Sequence, residues 1–154
     1  LDDVGALQAA CWPERTLDAV YLHLEDVLER HRRGIAWGMV ALVAGRPVAY
    51  GQMTRWGRIG EISDLVVAEA WRGQGIGSAV IQSLLDIARR EGLPEVEIGA
   101  NVSNQRAVAL YRRLGFCEKR QLMMEFGNGP EPVVYLSMRL DGASSASHAG
   151  QAET

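Results

Sequence analysis

Apolar residues recur at intervals of three and four positions in four stretches of the chain, and this spacing places them on one face of an α-helix. The clearest stretch follows Thr16 and stops at Gly34, because threonine caps helix starts and glycine commonly follows helix ends. The predicted helices lie between residues 2 and 11, between Thr16 and Gly34, between Gly77 and Gly92, and between Ser103 or Asn104 and Gly115.

Shorter runs of β-branched, aromatic and aliphatic residues predict six strands. The predicted strands are residues 35–44, 48–56, 59–67, 95–100, 116–126 and 133–140. Glycine-containing connections of two and three residues join the first three, so we expect an antiparallel meander. The fourth strand follows a helix, and its pairing with the third would make a right-handed parallel βαβ unit. The last two strands predict a hairpin.

The predicted order ααβββαβαββ describes one α/β domain with a mixed, mostly antiparallel sheet around a central parallel pair. A chain of 154 residues is long enough for one domain and one core. We therefore place a single domain at residues 1–140. Residues 141–154 are rich in Ala, Ser and Gly and lack an apolar period, which predicts a mobile C-terminal tail.

Composition and charge exclude several classes of protein. The formal net charge of -3 argues against a nucleic-acid binder, which usually presents a basic face. Cys11 and Cys117 cannot form a disulfide framework, and we expect both to be small buried hydrophobic residues. The three histidines have no metal-ligand partners at useful spacing, so no metal is expected. No apolar run approaches the ~20 residues that span a bilayer, and we expect a cytoplasmic protein without membrane contact.

Residues 72–78, Arg-Gly-Gln-Gly-Ile-Gly-Ser, connect a predicted strand to a predicted helix. Glycines here let a ligand approach the main-chain N–H groups, and the positive end of the following helix favours an anion such as phosphate. A turn without a ligand explains the glycines equally well. A P-loop requires a lysine before Ser78, and a dinucleotide fingerprint requires GxGxxG, whereas Gly73, Gly75 and Gly77 are spaced GxGxG. The sequence therefore fits neither of these nucleotide-binding classes.

Two blocks of residues resemble the GCN5-related N-acetyltransferase (GNAT) family. Arg72, Gly75 and Gly77 match Gln/Arg-x-x-Gly-x-Gly/Ala, the pattern of the loop that binds the acetyl-CoA pyrophosphate in that family. Residues 104–116 match Asn-x-x-Ala-x-x-Leu-Tyr-x-x-x-Gly-Phe. The resemblance covers roughly residues 35–140. Family members usually open with a strand, whereas this chain begins at the first helix, so that strand is either lost or lies upstream of Leu1.

The resemblance implies acetyl-CoA as the co-substrate. The loop residues that would bind its pyrophosphate are Arg72, Gly73, Gln74, Gly75, Ile76, Gly77 and Ser78. In the family, the strand before the loop carries a bulge and diverges from the following parallel strand, and the pantothenyl arm lies in the gap. The backbone of Leu65, Val66 and Val67 would pair with this arm, and one of these amides would polarise the thioester carbonyl. Asn104 would hydrogen-bond the arm, and Ala107 would leave room for it.

The implied chemistry is attack of a neutral amine on the thioester. Tyr111 matches the family tyrosine that protonates the departing thiolate. Glu61 lies eleven residues before Arg72, the position of the glutamate base in the histone-acetylating branch. Strand alternation predicts that Glu61 shares a face with Ser63, Leu65 and Val67, whereas Asp64 points to the other face and is the weaker candidate.

A second branch of the family places its base elsewhere. The ribosomal-protein N-terminal acetyltransferases take it from the position five residues before the asparagine, which is Gly99 here. Glu97 is the nearest acid on the same strand face. This departure argues against membership of that branch.

The acceptor is expected to be an amine of a small molecule, a peptide or a protein. We expect its site between residues 11–16, the long helix and residues 127–130. The aromatic residues that could line it are Trp12, Tyr21, Trp37 and Trp56. Edge strands near the C-terminal hairpin are compatible with a homodimer. Two alternatives stay open: a non-catalytic acyl-CoA-binding module that regulates a partner, and a structural protein whose loop binds no cofactor.

Overall fold

The computed structural model describes residues 2–140, in which four α-helices pack on a six-stranded mixed sheet. The helices are α1 (Asp2–Cys11), α2 (Leu17–Arg32), α3 (Ile76–Arg90) and α4 (Gln105–Arg113). The strands are β1 (Ala36–Val43), β2 (Arg46–Trp56), β3 (Ile59–Val67), β4 (Glu95–Asn101), β5 (Cys117–Glu125) and β6 (Pro130–Arg139). The strand order is β1-β2-β3-β4-β6-β5, and β3 and β4 are parallel. The predicted element order and the central parallel unit are confirmed, while the predicted tail lies outside the described residues.

Helices cover both faces of the sheet. On the face that we call the α3 face, Ile81 and Leu84 of α3 are fully buried in a core that includes Ile62 of β3. On the opposite face, the α2 face, Val20 of α2 packs in a smaller buried cluster with Tyr50 of β2. No helix within residues 2–140 is long and apolar enough to cross a membrane.

The last strand begins earlier than the sequence predicts. The prolines at its start indicate a turn, because proline has no N–H group to donate to a sheet. The structure starts β6 at Pro130, and the carbonyl of Pro132 accepts a hydrogen bond from the Val102 N–H at 3.0 Å. Pro132 thus takes part in the hydrogen bonding of the strand through its carbonyl group. The sequence pattern alone does not distinguish a proline in this role from a proline in a turn.

The two cysteines differ in their surroundings. Cys11 is buried in the α2-face cluster, and desolvation raises the pKa of its thiol to about 11. The expectation that Cys117 is buried is wrong, because it lies on the edge strand β5 and is exposed. Almost every side chain of β5 is exposed, so the strand contributes little to the core.

Strands β3 and β4 separate before either strand ends. Their parallel pairing stops after Ile62 and Ile98, although β3 continues to Val67 and β4 to Asn101. The two strands therefore diverge and leave a gap between the second half of β3 and the end of β4. The divergence implied by the family resemblance is confirmed.

A β-bulge accompanies this separation. Along the β2–β3 ladder, Asp64 and Leu65 together oppose the single residue Gly51. Asp64 adopts a φ of 52°, a left-handed conformation that non-glycine residues seldom use. A bulge of this kind bends the strand and strengthens its twist, which explains why β3 turns away from β4.

The extra residue reverses the side-chain alternation of β3. Leu65 and Val67 pack on the α3-face core, whereas Glu61 points to the α2 face. The expectation that these three share a face is therefore wrong. The carboxylate of Asp64 also lies on the α2 face, 3.8 Å from the Nε2 atom of His23, so Asp64 shares the face of Glu61 rather than opposing it.

Gly51 lets α3 approach the sheet opposite the bulge. A Cβ atom at this position would lie 2.7 Å from Cγ1 of Val80 and 3.2 Å from Cδ1 of Leu65. These atoms belong to packed side chains of the core, so a methyl group would displace either α3 or the bulged part of β3.

We predict that Gly51→Ala lowers the free energy of unfolding by roughly 1–3 kcal/mol because it overpacks this contact. Gly5→Ala is the matched control, since Gly5 lies in α1 and a Cβ there would meet no atom within 4 Å. Alanine should raise helix stability at Gly5 by about 0.5–1 kcal/mol. Urea denaturation measures both, and equal stability of the two variants would contradict the close approach of α3.

Candidate active site

The connection from β3 to α3 presents unpaired backbone N–H groups. Gly73 and Gly75 adopt φ values of 76° and 82°, conformations in which other residues would be strained. The first helical hydrogen bond of α3 joins the N–H of Ala79 to the carbonyl of Gly75 at 3.1 Å. The amides of residues 76–78 precede it and have no partner within the helix. Three such amides at the positive end of a helix form a site suited to an anion.

These amides border a groove of about 340 Å³ that we call the α3–α4 groove. Six of the seven predicted loop residues line it, Gln74 being the exception. Val67 and Ala107, both predicted from the resemblance, line it as well. The structure therefore brings the two sequence blocks together around one groove.

Two arginines that the sequence interpretation missed also line the α3–α4 groove. Arg106 and Arg113 lie on α4, and Arg72 approaches from the loop. The sequence contains a signal for this pair, because residues seven positions apart on a helix lie on the same face. Together the three guanidinium groups make this end of the molecule positive.

Only some peptide groups of β3 beside the gap can form hydrogen bonds with a ligand. The hydrogen bond from the Ala68 N–H to the Val48 carbonyl, 2.8 Å long, fixes the alternation of the β2–β3 ladder. It turns the peptide groups of Val66 toward β2 and those of Val67 toward the gap, so the expectation for Val66 is wrong. The Nε atom of Arg72 donates to the Val67 carbonyl at 3.0 Å, which leaves the Val67 N–H for a ligand.

Asn104 is the N-cap of α4. Its Oδ1 atom accepts a hydrogen bond from the N–H of Ala107 at 3.2 Å, as the sequence position at the helix start predicts. The acceptor of the side chain is therefore used in the helix cap, and the Nδ2 group is its remaining donor.

Tyr111 lies on α4 and packs into the α3-face core, with its ring edge-on to Phe116 at a centroid distance of 6.3 Å. Burial raises the pKa of its phenol, which keeps the hydroxyl protonated at neutral pH. No hydrogen bond within residues 2–140 engages this hydroxyl.

A second groove, of about 280 Å³, lies on the α2 face where β3 and β4 diverge; we call it the β3–β4 groove. The carboxylates that line it belong to Glu61, Asp64 and Glu131. Phe126 and Tyr135 add aromatic surface, and the sequence interpretation named neither. Within residues 2–140, no three side chains of His, Cys, Asp or Glu come together in a way that could hold a metal ion.

The two acidic residues that pair across the β3–β4 ladder have different environments. Glu97 is buried and accepts two hydrogen bonds from Arg120, each 2.9 Å long, with Lys119 also 2.9 Å away. The Arg120 hydrogen bonds outweigh burial and hold the pKa of Glu97 below its usual range, so Glu97 is a poor proton acceptor. Glu61 is half-buried, and the indole N–H of Trp56 lies 3.4 Å from its Oε1 atom. Its charge also interacts at longer range with the guanidinium group of Arg120.

The predicted aromatic residues do not form one lining. Trp12 and Trp37 are buried in the clusters of opposite sheet faces, whereas Tyr21 and Trp56 are exposed. Of the four, Trp56 adjoins the β3–β4 groove through its contact with Glu61.

Known proteins share both the sequence pattern and the fold. A family model described as "Acetyltransferase (GNAT) family" matches residues 1–116. N-alpha-acetyltransferase 30 of Schizosaccharomyces pombe is 34% identical over 77 residues, which cover 50% of this chain and 51% of that protein. An L-methionine sulfoximine/L-methionine sulfone acetyltransferase of Pseudomonas paraeruginosa is 28% identical over 125 residues, covering 76% of this chain and 72% of that protein.

Solved structures agree with this similarity. The crystal structure of a ribosomal-protein-alanine N-acetyltransferase from Brucella melitensis has a TM-score of 0.74 and 26% sequence identity, and the match covers 90% of this chain and 95% of that one. The chain spans about half the length or less of several N-acetyltransferase relatives that it matches. The family model covers three quarters of the chain, and the protein belongs to the GNAT acetyltransferase family.

Proposed function

We propose that the protein transfers the acetyl group of acetyl-CoA to a primary amine. The observation that supports this proposal most directly is the gap between β3 and β4. It runs from the anion-binding amides of the α3–α4 groove to the carboxylates of the β3–β4 groove. A phosphate-bearing thioester and an amine would thus meet from opposite sides of the sheet.

The α3–α4 groove fits the pyrophosphate of acetyl-CoA. Its backbone amides and three arginines supply the charge-assisted hydrogen bonds that phosphate oxygens accept. A Cβ at Gly73 or Gly75 would meet no atom within 4 Å, so the space in front of these backbone groups is open to a phosphate. The Nδ2 group of Asn104, at the start of α4, would donate to the arm of the co-substrate.

The chain's own groups would then supply the chemistry. Acetyl-CoA provides an activated acyl group, because its thioester carbonyl is open to attack by an amine. The N–H of Val67 faces the gap and would polarise that carbonyl, an effect worth roughly 3 kcal/mol for one well-placed donor. Glu61 would accept a proton from the amine, and the protonated hydroxyl of Tyr111 would donate one to the departing sulfur. The new bond joins nitrogen to the acetyl carbon, and the bond between that carbon and sulfur breaks.

The relatives include an N-alpha-acetyltransferase and acetyltransferases of small molecules such as thialysine and L-methionine sulfoximine. We therefore test acceptors of both kinds: peptides with free N-termini and small alkyl amines. Release of coenzyme A together with an acetylated product, located by mass spectrometry, would support the proposal. Acetyl-CoA binding in calorimetry without any product would instead favour the non-catalytic module, and absence of binding would favour a structural protein.

Replacing the groove arginines should weaken co-substrate binding. We predict that Arg106→Gln and Arg113→Gln each raise the Kd of acetyl-CoA about tenfold, because each removes a charge-assisted hydrogen bond to phosphate. Arg112→Gln is the control on the same helix, since Arg112 pairs with Glu118 and does not line the α3–α4 groove. Isothermal titration calorimetry measures the Kd of acetyl-CoA for all three variants. Equal Kd values for the three would show that this groove does not bind the phosphates.

Tyr111→Phe should separate chemistry from binding. We predict a fall in kcat of roughly 10²-fold with an unchanged Kd for acetyl-CoA, because phenylalanine keeps the packing on Phe116 and removes only the proton donor. The control is Tyr21→Phe on the exposed side of α2. Full activity of Tyr111→Phe, measured by coenzyme A release, would assign the proton donation to water.

Glu61→Gln tests the proton acceptor in the same assay. We predict that kcat falls roughly 10²-fold, while acetyl-CoA affinity and thermal stability stay at the level of the unmodified chain. Glu29→Gln, an exposed position on α2, serves as the control. If Glu61→Gln keeps its kcat, another group removes the proton.

A further inference from the structure

His23 links α2 to the strand beside the bulge through a short chain of hydrogen bonds. Its Nε2 atom lies 2.9 Å from Oε1 of Gln52, and the hydroxyl of Tyr50 donates to the same oxygen at 2.9 Å. Gln52 and Tyr50 are both buried, and the ring of Trp12 packs edge-on against His23 and Tyr50. The imidazole is thus held in one orientation from three sides.

The direction of these hydrogen bonds follows from the acceptor that they share, because the amide oxygen of Gln52 has no proton to donate. Burial, reinforced by the nearby charge of Asp64, raises the pKa of the Tyr50 phenol well above its ordinary value, so its hydroxyl remains a donor. Gln52 Oε1 therefore accepts from Tyr50, and the Nε2–H of His23 donates to the same oxygen. The same nitrogen lies 3.8 Å from Oδ2 of Asp64, too far for a hydrogen bond but close enough for the positive edge of the ring to attract the carboxylate.

Asp64 is unusual in both backbone and charge. The other non-glycine residue with a positive φ, Ala44, lies in the β1–β2 turn, whereas Asp64 lies within a strand. Strained residues persist where surrounding contacts fix them, and they concentrate at functional sites. Within residues 2–140, the basic side chain that comes within 4 Å of Asp64 is the imidazole of His23, whereas Glu97 is contacted by both Arg120 and Lys119.

Asp64 lies in the same groove as the proposed proton acceptor, Glu61. Asp64 lines the β3–β4 groove two residues after the last β3–β4 pair, Ile62 and Ile98, and a third of its side chain is exposed. A primary ammonium group has three N–H donors, enough to contact Asp64 and Glu61 at the same time. One carboxylate can then hold the charged amine while the other removes its proton.

We propose that Asp64 anchors the ammonium group of the acceptor, and that His23 is a positioning residue that fixes the Asp64 carboxylate. This inference rests on the proposed acetyl transfer and names the acceptor class: a cationic primary amine. An acceptor that brings a phosphate near its amine is disfavoured, because Glu61, Asp64 and Glu131 would repel it. Asp64 acts on acceptor binding, and Glu61 acts on proton removal.

The test compares a charged with an uncharged nucleophile of the same size. n-Butylamine is an ammonium ion at neutral pH, whereas O-propylhydroxylamine is largely uncharged. Asp64→Asn removes the charge and keeps a residue that tolerates positive φ. We expect it to raise the KM of n-butylamine about tenfold and to leave the KM of O-propylhydroxylamine and the Kd of acetyl-CoA unchanged. An equal loss for both nucleophiles would overturn the anchor.

The role of His23 is tested by a double-mutant cycle. His23→Gln should raise the KM of n-butylamine about threefold alone and should add nothing in the Asp64→Asn background, because residues that act through one another are not additive. His31→Gln is the control on the same helix, where His31 Nδ1 contacts the Ala36 carbonyl at 3.2 Å. Additive effects would overturn the positioning role. Failure of the unmodified chain to acetylate either nucleophile or any amine of the panel would refute the proposed acetyl transfer itself.

Discussion

The bulge at Asp64 and Leu65 is the constraint on which the rest of the site depends. A parallel pair normally continues its hydrogen bonds until one strand ends, because unpaired peptide groups inside a protein are costly. Here β3 remains paired with β2 through the bulge and bends away from β4 after Ile62. Peptide groups at the middle of a six-stranded sheet are therefore left for a ligand, while the helices on both faces keep the sheet rigid.

The same extra residue decides which side chains meet. Before the bulge, β3 sends Glu61 to the α2 face; after it, Leu65 and Val67 point to the α3 face. Counting alternate residues along the sequence places Glu61 on the same face as Leu65 and Val67, because the count treats the bulged residue as an ordinary strand position. Sequence reasoning therefore predicted the bounds of β3 correctly, but it wrongly grouped Glu61 with Leu65 and Val67 and wrongly opposed Asp64 to Glu61. A non-glycine residue at positive φ leaves no local pattern that would reveal such a bulge.

What the sequence predicts well is local in the chain. The loop of residues 72–78 and the cap at Asn104 lie where their motifs place them, since glycine conformation and helix capping depend on adjacent residues. Contacts between distant segments were not predictable in the same way. His23 meets Asp64 across 41 positions of sequence. Glu97 of β4 meets Arg120 of β5 only because β6 pairs with both strands and lies between them. Such pairs depend on sheet order, which hydrophobic periodicity does not specify.

The small net charge conceals a separation of charge across the sheet. Arg72, Arg106 and Arg113 line the groove at the start of α3, while the carboxylates of Glu61, Asp64 and Glu131 line the other groove. Grooves of opposite sign focus ligands of opposite charge, so a polyanionic co-substrate and a cationic acceptor would be drawn to different sides. Their reacting atoms can then meet only at the gap that the bulge opens. The net charge of -3 is compatible with this arrangement, because the positive charge of one groove offsets most of the negative charge of the other. Charge placement, rather than total charge, is thus the property that would separate the two proposed substrates.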